Sequence, residues 1–111
     1  MKKVFLILSL LLTFDASASA VNGAIIDQVL IGEVYGNMAF IRLKTKPTLP
    51  EGHCSTNSNY NYVFDISTQV GKATLSMVLS AYAAQKPVYA NGYDVCTIYS
   101  NVENLRQLRL Q

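Results

Sequence analysis

Two adjacent residues near the middle of the chain, His53 and Cys54, are the first candidates for chemistry. A cysteine becomes an efficient nucleophile when a histidine base lies within hydrogen-bond reach, but adjacency in the sequence does not bring the two side chains together. Zinc requires three or four ligands, and one histidine with two distant cysteines offers no such spacing. The pattern therefore favours a solvated loop histidine with no catalytic or metal-binding role.

Two further patterns are weak candidates for a reaction. Gly71-Lys72-Ala73-Thr74 is similar to part of a phosphate-binding loop, but the upstream glycine of that motif is missing and the segment has helical periodicity. The carboxylates show no paired arrangement that is typical of a general acid and base. We therefore expect a protein that is not an enzyme and that uses no cofactor and no metal ion.

A polar and aromatic segment, residues 54–62, is the better candidate for a binding surface. Asn and Ser side chains offer hydrogen-bond donors and acceptors, and Tyr adds a ring with a hydroxyl group. This chemistry suits a glycan or a protein partner. The alternative is that the tyrosines pack in the core or in a subunit interface while the Asn and Ser residues form plain turns. The candidate ligand-binding residues are Asn57, Ser58, Asn59, Tyr60 and Tyr62.

The first twenty residues have the three parts of a secretory signal peptide. Lys2 and Lys3 form a positive start, an apolar run follows over residues 4–14, and Ala18-Ser19-Ala20 is a small-x-small cleavage pattern. We expect cleavage after Ala20 and an exported, periplasmic or secreted domain over residues 21–111. A retained membrane anchor is the alternative, but a spanning helix needs about 20 apolar residues. We expect no membrane insertion of the mature chain.

The chain contains two cysteines, Cys54 and Cys96. An oxidising compartment favours joining them, and the bond would leave no thiol for catalysis. Closing a loop of this length removes about 4 kcal/mol of conformational freedom from the denatured chain, which is comparable to the whole stability of a small domain. The alternative is a pair of free buried thiols.

The charges are sparse and nearly balanced. Nine basic and seven acidic residues give a net charge of +2, and the mature chain is closer to neutral because Lys2 and Lys3 belong to the leader. The remaining basic residues form two loose groups, over 42–46 and 106–109. Phosphate neutralisation needs a denser cluster, so we expect no nucleic-acid partner.

Alternating apolar residues predict three strands in the first half of the mature chain, over 24–35, 38–44 and 60–66. Gly36-Asn37 joins the first two, with Asn37 suited to a positive φ. The long connection over 45–59 contains two prolines and shows no periodicity. In the second strand we expect one face to point into the core, namely Ala39, Ile41 and Leu43.

The period then changes to that of a helix. Ser67 or Thr68 can cap its N-terminus, and Pro87 cannot continue it beyond Gln85. We expect its buried stripe to be Leu75, Val78, Leu79 and Tyr82. The rest of the chain predicts extended segments over 88–90 and 93–99, a turn or bulge at Asn91-Gly92, and a final strand over 105–110.

This order predicts a mainly β domain with one α-helix. The sequence strand-strand-strand-helix-strand-strand over about 90 residues is what a five-stranded Greek-key barrel of the OB type requires. An α+β sandwich with the helix on one open face has the same order of elements, so the pattern leaves both architectures open.

The segment from Phe64 to Tyr89, followed by Asn91-Gly92 and Cys96-Thr-Ile-Tyr99, resembles small exported bacterial proteins. More distantly, it resembles the pentameric receptor-binding subunits of AB-type toxins, especially those of the subtilase-cytotoxin and typhoid-toxin-like group. The resemblance covers less than half of the mature chain. It implies an OB-like fold, a disulfide and a ring of five subunits that binds cell-surface glycans. We therefore expect an exported binding module; the alternative is a periplasmic inhibitor or accessory protein that binds another protein.

Overall fold

The computed structural model describes residues 19–111, so all but the last two residues of the predicted leader lie outside the described part of the chain. Within this range the protein is mainly β, with a six-stranded sheet and one α-helix. The elements are β1 (Ala20–Ala24), β2 (Ile26–Ile31), β3 (Met38–Leu43), β4 (Tyr62–Asp65), α1 (Gln69–Ala84), β5 (Val88–Gly92) and β6 (Glu103–Leu110).

The strands lie in the order β1-β5-β6-β4-β3-β2. Neighbouring strands are antiparallel except for β4 and β6, which run parallel. The first and last strands of this order are consecutive in the chain and are separated only by Ile25. The helix packs against β2 and β6. The two terminal strands of the sheet, β1 and β2, are therefore joined directly to each other through Ile25.

The strands differ from the sequence-based prediction at three places. The structure has six strands where five were predicted, because β1 begins at Ala20, before the predicted start of the domain. The predicted first strand ends early, at Ile31, and a 3₁₀ turn follows over Glu33–Tyr35. Gly36, with φ of 69°, takes the left-handed position instead of Asn37, because glycine has no Cβ to hinder it.

The predicted extended segment over 93–99 is a loop in the structure. Its backbone N–H groups at Thr97 and Ile98 donate to the side-chain oxygen of Asn104, at 3.1 and 3.2 Å. Because one side chain accepts from two successive amides, these amides do not pair with a neighbouring strand.

Both faces of the sheet are covered by apolar side chains, because successive residues of a strand point to opposite sides. The predicted inward set is confirmed: Ala39, Ile41 and Leu43 are buried in the main core. Phe40 is also buried, but it belongs to a second cluster on the opposite face together with Val63 and Val102. The main core comprises Val21, Ala24, Ile26, Ala39, Ile41, Leu43, Tyr62, Phe64, Val78, Ala81, Val88, Ala90, Leu105 and Leu108.

The helix begins and ends at the predicted signals. The Thr68 side chain caps the N-terminus by accepting the Gly71 N–H at 2.9 Å, and Gln85 adopts a left-handed conformation two residues before Pro87. No helix in residues 19–111 is long and apolar enough to span a bilayer.

The predicted buried stripe of the helix is partly wrong. Val78 is buried and Leu75 is half-buried, but Leu79 and Tyr82 are 47% and 42% exposed. The helix instead turns Ala81 into the core. The buried face is therefore centred on Val78 and Ala81, and Leu79 and Tyr82 lie at its edge, towards solvent.

The glycine of the Gly71-Lys72-Ala73-Thr74 pattern, which is similar to part of a phosphate-binding loop, has a packing role. A Cβ atom at this position would lie 1.8 Å from the backbone carbonyl oxygen of Asp65, so the start of α1 can rest on the end of β4 only without a side chain. The glycine is required by packing.

We predict that Gly71→Ala lowers the free energy of unfolding by about 1–3 kcal/mol, the usual cost of overpacking. At an exposed helical site the same exchange would stabilise the protein by about 0.5–1 kcal/mol. Urea denaturation measures the difference. Ala73→Gly, at an exposed position in the same turn, is the matched control for helix propensity, and a stabilising Gly71→Ala would contradict the close contact.

Candidate functional site

Two loops meet beside the second apolar cluster: the 44–61 loop between β3 and β4, and the 93–102 loop between β5 and β6. The predicted disulfide is confirmed, since Cys54 of the first loop is bonded to Cys96 of the second. The carbonyl oxygen of Asn101 also accepts the N–H groups of Thr56 and Asn57, at 3.1 and 3.0 Å. The two loops are therefore held together by one covalent bond and by backbone hydrogen bonds.

Aromatic rings gather where these loops cover β3. Phe40 is almost fully buried, and its ring centroid lies 5.0 Å from that of Tyr99, 5.2 Å from that of Tyr35 and 5.5 Å from that of Tyr60. A cavity of about 130 Å³ opens above them. We call this cavity the tyrosine pocket; its lining residues are Leu30, Tyr35, Phe40, Asn57, Asn59, Tyr60 and Tyr99.

The two asparagines of the tyrosine pocket have different roles. The side-chain oxygen of Asn57 accepts the N–H groups of Asn59 and Tyr60, at 2.8 and 2.9 Å, and its amide nitrogen donates to the Asn101 side chain at 3.3 Å. Asn57 thus forms the turn that places the Tyr60 ring against Phe40. The Asn59 side chain is exposed and makes no hydrogen bond to another side chain or backbone group within residues 19–111, so its amide is available to a ligand.

Three of the predicted binding residues line this pocket, namely Asn57, Asn59 and Tyr60. Ser58 is exposed beside it but does not line it. Tyr62 lies on the other face of the sheet, fully buried in the main core. β4 begins at Tyr62, so Tyr60 belongs to the preceding loop and does not follow the alternation of the strand. The pocket also contains four residues that the sequence analysis did not propose: Leu30, Tyr35, Phe40 and Tyr99.

A larger cavity, of about 260 Å³, lies between α1 and β6. Its polar side chains are mostly engaged within the protein. Asp65 accepts the N–H and hydroxyl of Ser67, and Thr68 accepts the N–H of Gly71. The hydroxyl of Thr74 donates to a backbone carbonyl of its own helix. The tyrosine pocket is smaller but combines converging ring faces with an available amide, which is the chemistry of a binding site.

A set of buried polar groups lies behind the two loops. We call Ser19, His53, Tyr62 and Glu103 the buried polar cluster; Asp94, whose side chain is 36% exposed, lies at its edge. Its centre is the fully buried Glu103, whose carboxylate accepts the Ser19 hydroxyl and, at 3.0 Å, the N–H of Asp94. A Cβ on Gly92 would lie 1.8 Å from a Glu103 oxygen. The predicted irregularity at Asn91-Gly92 is a register shift in β5 that leaves room for this carboxylate.

The prediction of a solvated His53 is wrong, because its side chain is only 3% exposed. The Nδ1 atom accepts the N–H of Ser55 at 2.9 Å, and Nε2 lies 2.7 Å from an oxygen of Asp94 and 3.4 Å from one of Glu103. Neither oxygen lies in the direction of the Nε2–H bond, so these contacts are close but are not good hydrogen bonds. The disulfide at the next residue folds the loop, and with it the imidazole, onto the protein.

The cluster does not have the arrangement of a nucleophile and a base. The Ser19 hydroxyl donates to a carboxylate and not to the imidazole, and Cys54 is held in the disulfide. Activated nucleophiles require the base within hydrogen-bond reach of the nucleophile. Within residues 19–111, no three His, Cys, Asp or Glu side chains are placed to hold a metal ion. The chemistry of the cluster is therefore that of internal hydrogen bonding.

Comparison with known proteins does not assign this site. The chain matches no protein-family model and no curated protein.

Burial raises the pKa of Tyr62 to about 12, because a phenolate loses its hydration inside the protein. The folded-state pKa is thus above the unfolded value near 10. The corresponding stabilisation is complete below pH 10 and is lost as the pH rises through 12. We expect the free energy of unfolding to fall over this range by about 3 kcal/mol, and Tyr62→Phe to flatten the profile.

Urea unfolding at successive pH values measures this effect, with phenolate absorbance as a second probe. Tyr93→Phe, at an exposed tyrosine, should retain the wild-type decline. A Tyr62→Phe variant with an unchanged decline would contradict the assignment to Tyr62.

Proposed function

We propose that the protein is an exported, non-catalytic binding module of OB-like fold that binds a glycan in the tyrosine pocket. The observation that carries this proposal is the convergence of Tyr35, Tyr60 and Tyr99 around Phe40, with the amide of Asn59 beside them. A ring face can stack on the C–H groups of a sugar, and amide and phenol groups can bond its hydroxyls.

The sheet order supports the OB-like fold over the open sandwich. If β1 and β2 are counted as two halves of one bent strand, the sheet has five strands. The strand order then begins and ends with this bent strand. This is the order of a closed barrel. The helix follows the third of these five strands, as the OB-type pattern requires.

The position of the tyrosine pocket supports a glycan ligand. In the five-strand count β3 and β4 are the second and third strands, Tyr35 lies in the first loop, and Tyr99 lies in the loop between the last two strands. OB-type barrels bind oligonucleotides and oligosaccharides on this face and with these two loops. Because no charged side chain lines the pocket, an oligosaccharide fits better than a polyanion.

The size and lining of the pocket narrow the ligand to one neutral sugar residue. Its volume of about 130 Å³ is below the roughly 300–1,000 Å³ of sites for drug-sized molecules. The absence of a basic residue from the lining disfavours an acidic sugar. Such a site binds weakly by itself, so several linked copies would raise the overall affinity.

We expect the mature protein to bind neutral glycans on an array, and the terminal sugar to bind in calorimetry. Tyr99→Ala and Tyr35→Ala should each reduce the affinity about tenfold, the effect of removing a central contact residue. Tyr93→Ala is the matched control, since this tyrosine lies in the same loop but outside the pocket. Circular dichroism checks that the variants are folded.

Two results would contradict the proposal. One is an array on which no neutral glycan binds. The other is a Tyr93→Ala variant that loses as much affinity as Tyr99→Ala, since the loss would then reflect the loop as a whole and not the pocket.

We propose further that the exposed apolar face of α1 is an assembly surface of a homo-pentamer. Leu79 and Tyr82 lie one turn apart on this face and are each more than two-fifths exposed. Exposed apolar patches commonly mark interaction sites. A ring of five would carry five tyrosine pockets. The alternative, an inhibitor or accessory protein, would use the same face to cover another protein.

Light scattering of the mature protein distinguishes these assemblies. We expect a pentamer, and we expect Leu79→Glu to release subunits because it places a charge in an apolar contact. Ser80→Glu, which adds the same single charge at an exposed polar position on α1, is the control for added charge. A wild-type protein that stays monomeric would overturn the pentamer and leave the pocket proposal to be judged by sugar binding alone.

A further inference from the structure

Ser19 belongs to the predicted leader, yet it is built into the folded domain. It is only 3% exposed. Its hydroxyl donates to Glu103 and lies 2.7 Å from the hydroxyl of Tyr62. Its carbonyl oxygen accepts the N–H of Gly92 at 3.0 Å. Ser19 thus makes both side-chain and backbone contacts that the domain would lose if this residue were removed.

Glu103 has no Lys or Arg counter-ion among residues 19–111. It is fully buried, and no Lys or Arg nitrogen of this range lies within ion-pair distance of it. His53 is near, but its Nδ1 accepts the Ser55 N–H. Its Nε2 lies nearer to Asp94, at 2.7 Å, than to Glu103, at 3.4 Å, and has good hydrogen-bond geometry to neither. A buried carboxylate is unfavourable without a compensating cation.

We propose that the leader is removed between Ala18 and Ser19, and that the new α-ammonium group of Ser19 is the counter-ion of Glu103. This places the cut two residues before the boundary predicted from the sequence. Ala16-Ser17-Ala18 is itself a small-x-small pattern that ends at the proposed cut. The inference rests on the proposed export, because a leader peptidase must supply the reaction.

The reaction provides the charge that the cluster lacks. The peptidase adds one water molecule across the Ala18–Ser19 amide bond; Ala18 leaves as a carboxylate, and the nitrogen stays on Ser19 as an amine that is protonated at neutral pH. This nitrogen is three bonds from Oγ and so roughly 3–4 Å from it, and Oγ is bonded to Glu103. In the uncut chain the same nitrogen is a neutral amide.

A cut after Ala20 would have the opposite effect. It would remove the Ser19 hydroxyl from Glu103 and Tyr62, and the Ser19 carbonyl from Gly92. It would also remove Ala20, which pairs with Asn91 at the start of β1. Glu103 would then be buried with one hydrogen-bond donor fewer.

The cleavage site is tested on the full chain, expressed with its leader in a bacterial host that exports it. Intact mass and N-terminal sequencing of the exported protein should give a chain that starts Ser19-Ala20-Val21. An exported protein that starts at Val21 would overturn this inference but not the proposed export. A chain that keeps its leader would overturn both.

Two matched variants separate the two cleavage patterns. Ala16→Leu removes a small residue that only the Ala18–Ser19 cut requires, so we expect the chain that starts at Ser19 to be lost and to be replaced by uncut precursor or by a chain that starts at Val21. Ala20→Leu removes a small residue that only a cut after Ala20 requires. Because Ala20 is exposed, we expect normal export and a mature chain that starts at Ser19. The reverse pattern would overturn the proposal.

The counter-ion is tested by comparing a refolded chain that begins at Ser19 with one that carries an extra glycine before it. The extension moves the ammonium group by up to about 3.8 Å. We expect the folding equilibrium constant to fall about tenfold, as for a lost hydrogen bond to a charged group. In Glu103→Gln the two forms should be equally stable. Equal stability in the wild-type background would overturn the ion pair.

Discussion

The carboxylate of Glu103 lies where four segments of the chain meet. It accepts the Ser19 hydroxyl from the N-terminal segment and the Asp94 N–H from the 93–102 loop, and it lies 3.4 Å from His53 of the 44–61 loop. Gly92 of β5 lies directly beside it. A carboxyl group this deeply buried is tolerated only when its oxygens are hydrogen-bonded. The positions of all four segments therefore depend on one another.

The packing around Glu103 also affects the two loops that form the tyrosine pocket, although no member of the buried polar cluster lines this pocket. His53 precedes the disulfide, Cys54–Cys96 ties the two loops, and Asn101 bonds the backbone of the first loop. From this fixed base the Asn57 side chain forms the turn before Tyr60, and the second loop delivers Tyr99. A pocket whose walls are already held in place loses less conformational freedom when a ligand binds.

The elements that could be predicted are those with local signals. Thr68 caps the helix and Pro87 follows its end, as the sequence pattern indicates. The alternation in β3 identified its buried face correctly. The stripe at Leu79 and Tyr82 was misjudged, because helical periodicity shows which residues share a face but not how the helix is rotated against the sheet. His53 was misjudged for a related reason: nothing local shows that a loop will be folded inward.

The sequence by itself determined the helix limits, the inward set of β3 and the single possible disulfide pair, since each follows from residue type and local spacing. Only the tertiary structure decided which rings form the tyrosine pocket, because the rings come from three separate parts of the chain: Tyr35 and Phe40, Tyr60, and Tyr99. It also decided the roles of Ser19 and Glu103, which are 84 residues apart. Contacts over such separations depend on strand pairing and loop packing, and neither leaves a local pattern in the sequence.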